Sequence, residues 1–372
     1  MLALSTNGGT QRLHVLRIPS SCDNAGDDSH NPFYRTPARI ARAPHTHEGE
    51  LLNKQALQAI VDNGFAVPDG RRAEDLLPAL MEHLGSTDPI LRERSMDVLD
   101  AWGGDGRLSD DTLIDLGTRM SADLSRGLGK EESDSVFRRS YAALILTIPL
   151  AADALFDAGT VAGRTGYLAP EIVRPWLDGA LSSLRAERDL RGFVDHKGWA
   201  HAVAHMADAL CQFARSPHVG LSQQQAILDA VADRLTTPVD SVFVQDEGGR
   251  LMRVVYHLLL RGELPLDAYV AWLDGLRTTP DGRTWGWGGL FDLESCDHRA
   301  VNARLNVCEA LQVLHLFLMV GPRRWHHEDK GYYAFYDRPI AQREALRERV
   351  VETLRALYSG LVPPPGETVA PR

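Results

Sequence analysis

From about residue 51 to residue 362, apolar side chains recur at spacings of three and four, and strand-like alternation is scarce. That period is one face of an α-helix, so this part of the chain must bury a series of helical stripes against one another. Candidate helices begin near Asn53, Arg72, Pro89, Asp110, Ser135, Pro170, Gly198, Ser222, Gly249, Pro265, His298 and Ala341. Asp88-Pro89, Ser109-Asp110, Ala169-Pro170 and Leu264-Pro265 place a capping side chain or a first-turn proline at several of these starts. The pattern predicts an all-α array of antiparallel helix pairs. "GSTDPILRERSMDVLDAW", Gly85 to Trp102, is similar to one helix of a HEAT-type repeat, with apolar Leu91, Val98, Leu99 and Trp102. A HEAT-like right-handed stack is therefore expected; a closed α/α toroid of about six pairs fits the same spacing.

The flanks differ. Residues 1–50, rich in Ser, Asn, Gly, Pro, His and Arg, read as a disordered extension, or as translation from an upstream start codon. Residues 363–372, "PPPGETVAPR", read as a disordered tail. Between them, 51–362 are expected to form a single all-helical domain. A net charge of −10 argues against the basic surface that nucleic acid requires. Cys22, Cys211, Cys296 and Cys308 form no CxxC pair, which suits free thiols in a reducing compartment. The most apolar stretch, Tyr141 to Phe156, is broken by Thr147, Pro149 and Asp153 and reads as too short for a membrane span. A cytoplasmic protein without nucleic-acid or membrane partners is the expectation.

One segment carries candidate chemistry: "KGWAHAVAHMADAL", Lys197 to Leu210. On a helix counted from Trp199, the residues Trp199, Ala202, Val203, Met206, Leu210 and Phe213 share an arc of roughly 100° and form a core stripe. His201, His205, Asp208 and Gln212 share the opposite side, either as a solvated face or as the lining of a concave ligand surface. Histidines at i and i+4 can share a divalent metal, so His201 and His205 are the alternative metal pair. Ala202 stands where the HExxH motif has its Glu, and Asp208 lies too far along the helix to join both rings on one ion. Without metal, a histidine held by Asp208 at i+3 could act as general base near neutral pH. No G-x-S-x-G elbow, P-loop or G-x-G-x-x-G accompanies it.

"DPILRERSMDVLDAW", "DSVFRRSYAALIL", "RGFVDHKGWAHAVAHMADAL" and "QDEGGRL" occur in this order, and together the chain resembles the bacterial family known as domain of unknown function 2785. The resemblance spans roughly Leu80 to Leu318, with the Gly-Trp-Ala-His-x-x-x-His-x-x-Asp stretch its most specific part; Met206 stands where the family usually has Gly. It implies an all-helical fold and no particular reaction.

Other residues are candidates for the same cavity. Asp134 and Arg138 form an i,i+4 pair, read as a salt bridge, or else Arg138 or Arg139 turns inward to hold an anion. Arg250 has the same two readings. Trp285 and Trp287, interleaved with glycines, read as a packed connection or an aromatic wall, and Arg304 could reach in from the following helix. His201, His205 and Asp208 are thus the candidate catalytic residues. Lys197, Trp199, Arg138, Arg250, Trp285 and Arg304 are the candidate ligand contacts. The expected function is binding of a small polar ligand or peptide at a His/Asp-lined surface, or alternatively hydrolysis with a histidine base, with or without a divalent metal. The sequence names no cofactor or substrate class.

Overall fold

The computed structural model describes residues 52–285, 296–322 and 335–359. The 1–50 extension, the 363–372 tail and Trp287 lie outside the described residues. Among the described residues twelve α-helices dominate: α1 (Lys54–Asp62), α2 (Ala73–His83), α3 (Pro89–Gly104), α4 (Asp110–Asp123), α5 (Ser135–Asp157) and α6 (Pro170–Ala186) come first. Next come α7 (Ala202–Arg215), α8 (Leu221–Thr236), α9 (Glu247–Arg261), α10 (Leu266–Gly275), α11 (His298–Val320) and α12 (Arg343–Leu357). The chain is all-α, its described strands being β1 (Phe193–Val194) and β2 (Gly198–Trp199), one short antiparallel hairpin.

The caps explain several starts. Asn53, Asp88 and Ser109 each accept a backbone N–H from the first turn of α1, α3 and α4, and Pro89 and Pro170 open their helices. One start departs from the periodicity. The helix expected from Gly198 begins only at Ala202, because β1 and β2 claim the residues before it and His201 turns the chain with φ +50°. Trp199 is therefore a strand residue and not part of the helix's core stripe. Gly198, at φ +76°, lies where a Cβ would crowd Pro89 and Arg92 of α3, so a side chain there would be both strained and tight.

Packing follows two rows. Each of α1, α3, α5, α7, α9 and α11 packs on the next of that set, while α4, α6, α8, α10 and α12 form a flanking row. A hydrophobic cluster runs from Leu52 to Leu357 through both. The longest helices, α5 and α11, differ from the expectation for the Tyr141 stretch: by length and composition each could cross a membrane. In the fold 83% of the apolar window of α5 is buried among other helices. That burial accounts for its composition, since a helix at the centre of a row must be apolar nearly all round.

Candidate functional site

The side of α7 opposite its core stripe does not face water. His201 (4% exposed), His205 (7%), Asp208 (2%) and Gln212 (5%) are all buried on a helix that packs against both α5 and α9. The reason is a matching polar stripe on α9, where Arg250, Arg253 and His257 recur at the same three- and four-residue spacing and are also buried. Burial of such groups is tolerated only where each finds a partner. Arg250 Nη1 donates to Asp208 Oδ2 at 2.7 Å. His257 donates from Nδ1 to the Cys211 carbonyl and accepts at Nε2 from the Tyr336 hydroxyl.

At the mouth of this seam the hairpin and the N-termini of α7 and α9 meet. His201 and Asp246, each immediately before its helix, both have left-handed backbone (φ +50° and +70°). Non-glycine residues seldom adopt this conformation unless the surroundings hold it, and such positions gather at functional sites. His201 Nε2 donates to the Gln245 carbonyl at 2.7 Å and lies 3.5 Å from Glu247 Oε1. Burial acts to raise the Glu247 carboxyl, but His201 and the backbone donors of Gln245 and Glu247 outweigh it and hold it below the ordinary range.

His205 is oriented by a residue that its own helix does not supply. Ser140 Oγ, on α5, contacts both the Ala200 carbonyl and His205 Nδ1, the latter at 2.7 Å. A carbonyl only accepts, so the single hydroxyl proton goes to Ala200 and Ser140 must accept from His205 Nδ1–H. The other nitrogen, Nε2, then carries a lone pair, and it makes no hydrogen bond with the described residues. Burial, together with the positive potential of His201, Arg250 and Arg92, pushes the pKa of His205 well below its ordinary value. The ring is thus a neutral acceptor with a fixed tautomer.

Four rings lead inward from the surface. Phe193, half-exposed, meets Trp199 edge-on at 5.2 Å; Trp199 stacks on His201 at 4.7 Å; His201 meets His205 at 5.7 Å. Behind them Tyr141 closes on His205 at 5.3 Å. Arg92, fully buried on α3, lies over Phe137 and Tyr141 and donates to the Lys197 carbonyl, which pins the hairpin in place.

Around the first turn of α9 three carboxylates gather. Gly248 and Gly249 leave space that Glu309 of α11 and Asp246 occupy: a Cβ at Gly248 would lie 1.9 Å from Glu309 Oε2, and one at Gly249 2.2 Å from Asp246 Oδ1. Asp246 reaches Arg250 Nε only at 3.9 Å. Glu309 Oε2 is buried without a hydrogen bond, and burial plus repulsion from Asp246 and Glu247 push its pKa up to about 7.

The expected ligand contacts divide sharply. Arg250 and Trp199 join the histidines. Arg138 does not, nor does it pair with Asp134; it caps the end of α2 at the Met81 and Glu82 carbonyls and lies 3.7 Å from Asp123. Asp134 instead takes Lys197 Nζ at 2.7 Å, on the outside of the hairpin. Arg139 is the arginine that turns inward, but its anion is internal: Glu187 binds it through two 2.8 Å bonds. Trp285 is buried with Nε1 on the Leu276 carbonyl, and Arg304 binds the Leu357 carbonyl under Tyr358. Both serve as links between helices, far along the row. Asp208 does not orient His205, because Arg250 holds its carboxylate; Ser140 has that role.

As to metal, His201 and His205 each have one nitrogen already committed, and among the described residues no group of three His, Cys, Asp or Glu side chains is placed around a common ion. Sequence reasoning missed Ser140, Glu247 and Glu309. The polar period of α9, Asp246–Arg250–Arg253–His257, was the available signal for its half of the seam.

Neither curated proteins nor solved structures yield a match to the chain. A family model described as "Protein of unknown function (DUF2785)" matches residues 124–316, which include α5, α7, α9 and Glu309. Since that match takes in just over half of the sequence and every helix that builds the polar seam, the chain belongs to the family of domain of unknown function 2785.

Proposed function

We propose that this protein binds a small polar ligand where α5, α7 and α9 meet, within an open HEAT-like stack of helix pairs. The observation that carries the reading is His205 Nε2: an acceptor held in one tautomer, over nine-tenths buried, with no described partner. The described residues leave this nitrogen open to an N–H or O–H donor that a ligand would bring. A series of ring contacts from the half-exposed Phe193 through Trp199 and His201 joins this imidazole to the surface, and His201, its neighbour in that series, has left-handed backbone. An open stack is favoured over a toroid because α1 and α11, the two ends of the row, are not a packed pair among the described residues. The ligand reading involves neither nucleic acid nor membrane, and a cytoplasmic setting suits the free thiols.

Hydrolysis with His205 as base shares the same observation, since a neutral imidazole with a free Nε2 is a competent proton acceptor. Ser140 is not its nucleophile, because its proton is given to Ala200 and not to the imidazole.

A thermal-shift screen of small amines, carboxylates, polyols and nucleosides tests the binding reading. At a hundredfold excess over Kd, stabilisation amounts to about 2.7 kcal/mol, or a few degrees in Tm. The expected result is a shift in wild type that His205→Phe lacks. No shift with any compound, or equal shifts in the two proteins, would count against it.

A further inference from the structure

One side of α11 is left without a neighbour among the described residues. This helix ends the central row, packing on α8, α9 and α12. Leu305, Leu316, Met319 and Val320 stand exposed on its remaining face, the last three more than half so. The opposite end of the row is built differently: α1 turns Lys54, Gln55, Ala56, Ala59 and Asp62 outward and exposes no large apolar side chain. A polar outer face keeps the end of a helical stack soluble, whereas a contiguous apolar one marks an interaction surface. Since α1 offers nothing apolar, α11 has no match in a second copy's α1, and the row does not continue head-to-tail. A contact between copies must be α11 on α11, which closes on a two-fold axis.

The spacing on that face decides the partner. Asn302, Leu305, Glu309, Gln312, Leu316 and Met319, all exposed or half-exposed, follow one another at intervals of three and four, the stripe that a two-stranded coiled coil buries. Run antiparallel about a two-fold axis between Ala310 and Leu311, this stripe is complementary to itself: Leu305 meets Leu316, Glu309 meets Gln312 and Asn302 meets Met319. Gln312 gives one amide N–H to the Tyr358 hydroxyl at 3.0 Å and has a second for the other copy's Glu309 carboxylate. Run parallel, Glu309 would face its own copy while already in the field of Asp246 and Glu247. A lipid surface would bury Glu309 and Gln312, at the middle of the stripe, with nothing to answer them.

We propose that the outer face of α11 joins two copies of this chain into an antiparallel, two-fold dimer. Sedimentation velocity of the full chain is expected to give twice the 41.1 kDa chain mass. Leu316→Glu with Met319→Glu should return it to the monomer with an unchanged circular-dichroism spectrum. Register is read by disulfide formation in a Cys22→Ser, Cys296→Ser background, a test that stands even where the glutamates disturb folding. Leu305→Cys with Leu316→Cys should cross-link two chains. Either cysteine alone should not, since like residues then lie about 16 Å apart along the axis and a disulfide spans about 5.5 Å between Cα atoms. A wild-type monomer, a dimer that survives both glutamates, or a cysteine pair that fails to cross-link overturns the proposal. Cross-linking by each single cysteine as readily as by the pair overturns the antiparallel register. A monomer that sediments with phosphatidylcholine vesicles, and releases them when the two glutamates are present, overturns the dimer and assigns the face to lipid.

Discussion

Replacing Arg250 by Met is expected to lower the stability of the protein by about 3–5 kcal/mol, the cost of leaving a buried charge without its partner. Arg250 (4% exposed) and Asp208 (2%) are joined at 2.7 Å in the middle of the α7–α9 interface. Methionine retains the straight stem, so the loss reports the guanidinium and not a cavity. Burial already acts to raise the Asp208 carboxyl, with Arg250 foremost among the charges that oppose this. Without Arg250 the carboxyl must ionise with only the weaker fields of Arg253 and His201 to favour it, or hold a proton. Asp208→Asn in the Arg250→Met background should therefore recover part of the loss, since a neutral amide has no charge to strand. Urea unfolding of the four proteins of this cycle measures the coupling. A loss below about 1 kcal/mol for the single variant would mean that water reaches the pair and that the seam is not a closed interface.

The second large effect is a gain. Glu309→Gln should stabilise the protein at pH 8 by about 1–2 kcal/mol, and by nothing at pH 4. Its carboxyl has an ordinary value of 4.5 and is raised in the fold to about 7. Below the lower value both folded and unfolded chains hold the proton, and the glutamate costs nothing. As pH rises from there through the folded value, the unfolded chain gives up its proton first, so wild type loses stability across that window. The full difference corresponds to about 3 kcal/mol at 1.36 kcal/mol per pH unit, reduced here because the side chain is partly open to water. Chemical denaturation at pH 4, 6 and 8 measures the slope, which the Glu309→Gln substitution should flatten. An identical slope in the two proteins would show that Glu309 is fully solvated.

These two effects belong to residues of unequal legibility. Arg250 stands out in the sequence as a charged residue after the DEGG turn, with two readings open. Glu309 does not stand out at all, because a glutamate on α11 is unremarkable until α9 presents two glycines to it. Ser140 is equally silent: its importance comes from lying on α5 beneath Ala200 and His205, some sixty residues later in the chain. Arg138, Trp285 and Arg304 err in the opposite direction. Each is conspicuous in the sequence, yet each ends on a backbone carbonyl elsewhere, because long side chains are as often used to close helix ends as to line cavities.

The helices, their starts within a few residues and the polar period of α7 were all local properties. Apolar spacing and caps act over one or two turns, so the linear order of residues suffices to specify them. Only the tertiary structure decided that α9 covers that polar stripe, that β1 and β2 shorten α7 by one turn, and which nitrogen of His205 keeps its lone pair. Those outcomes depend on which side chain of a distant segment arrives within 3 Å, and hydrogen-bond partners at that range are selected by packing, not by neighbourhood in the chain.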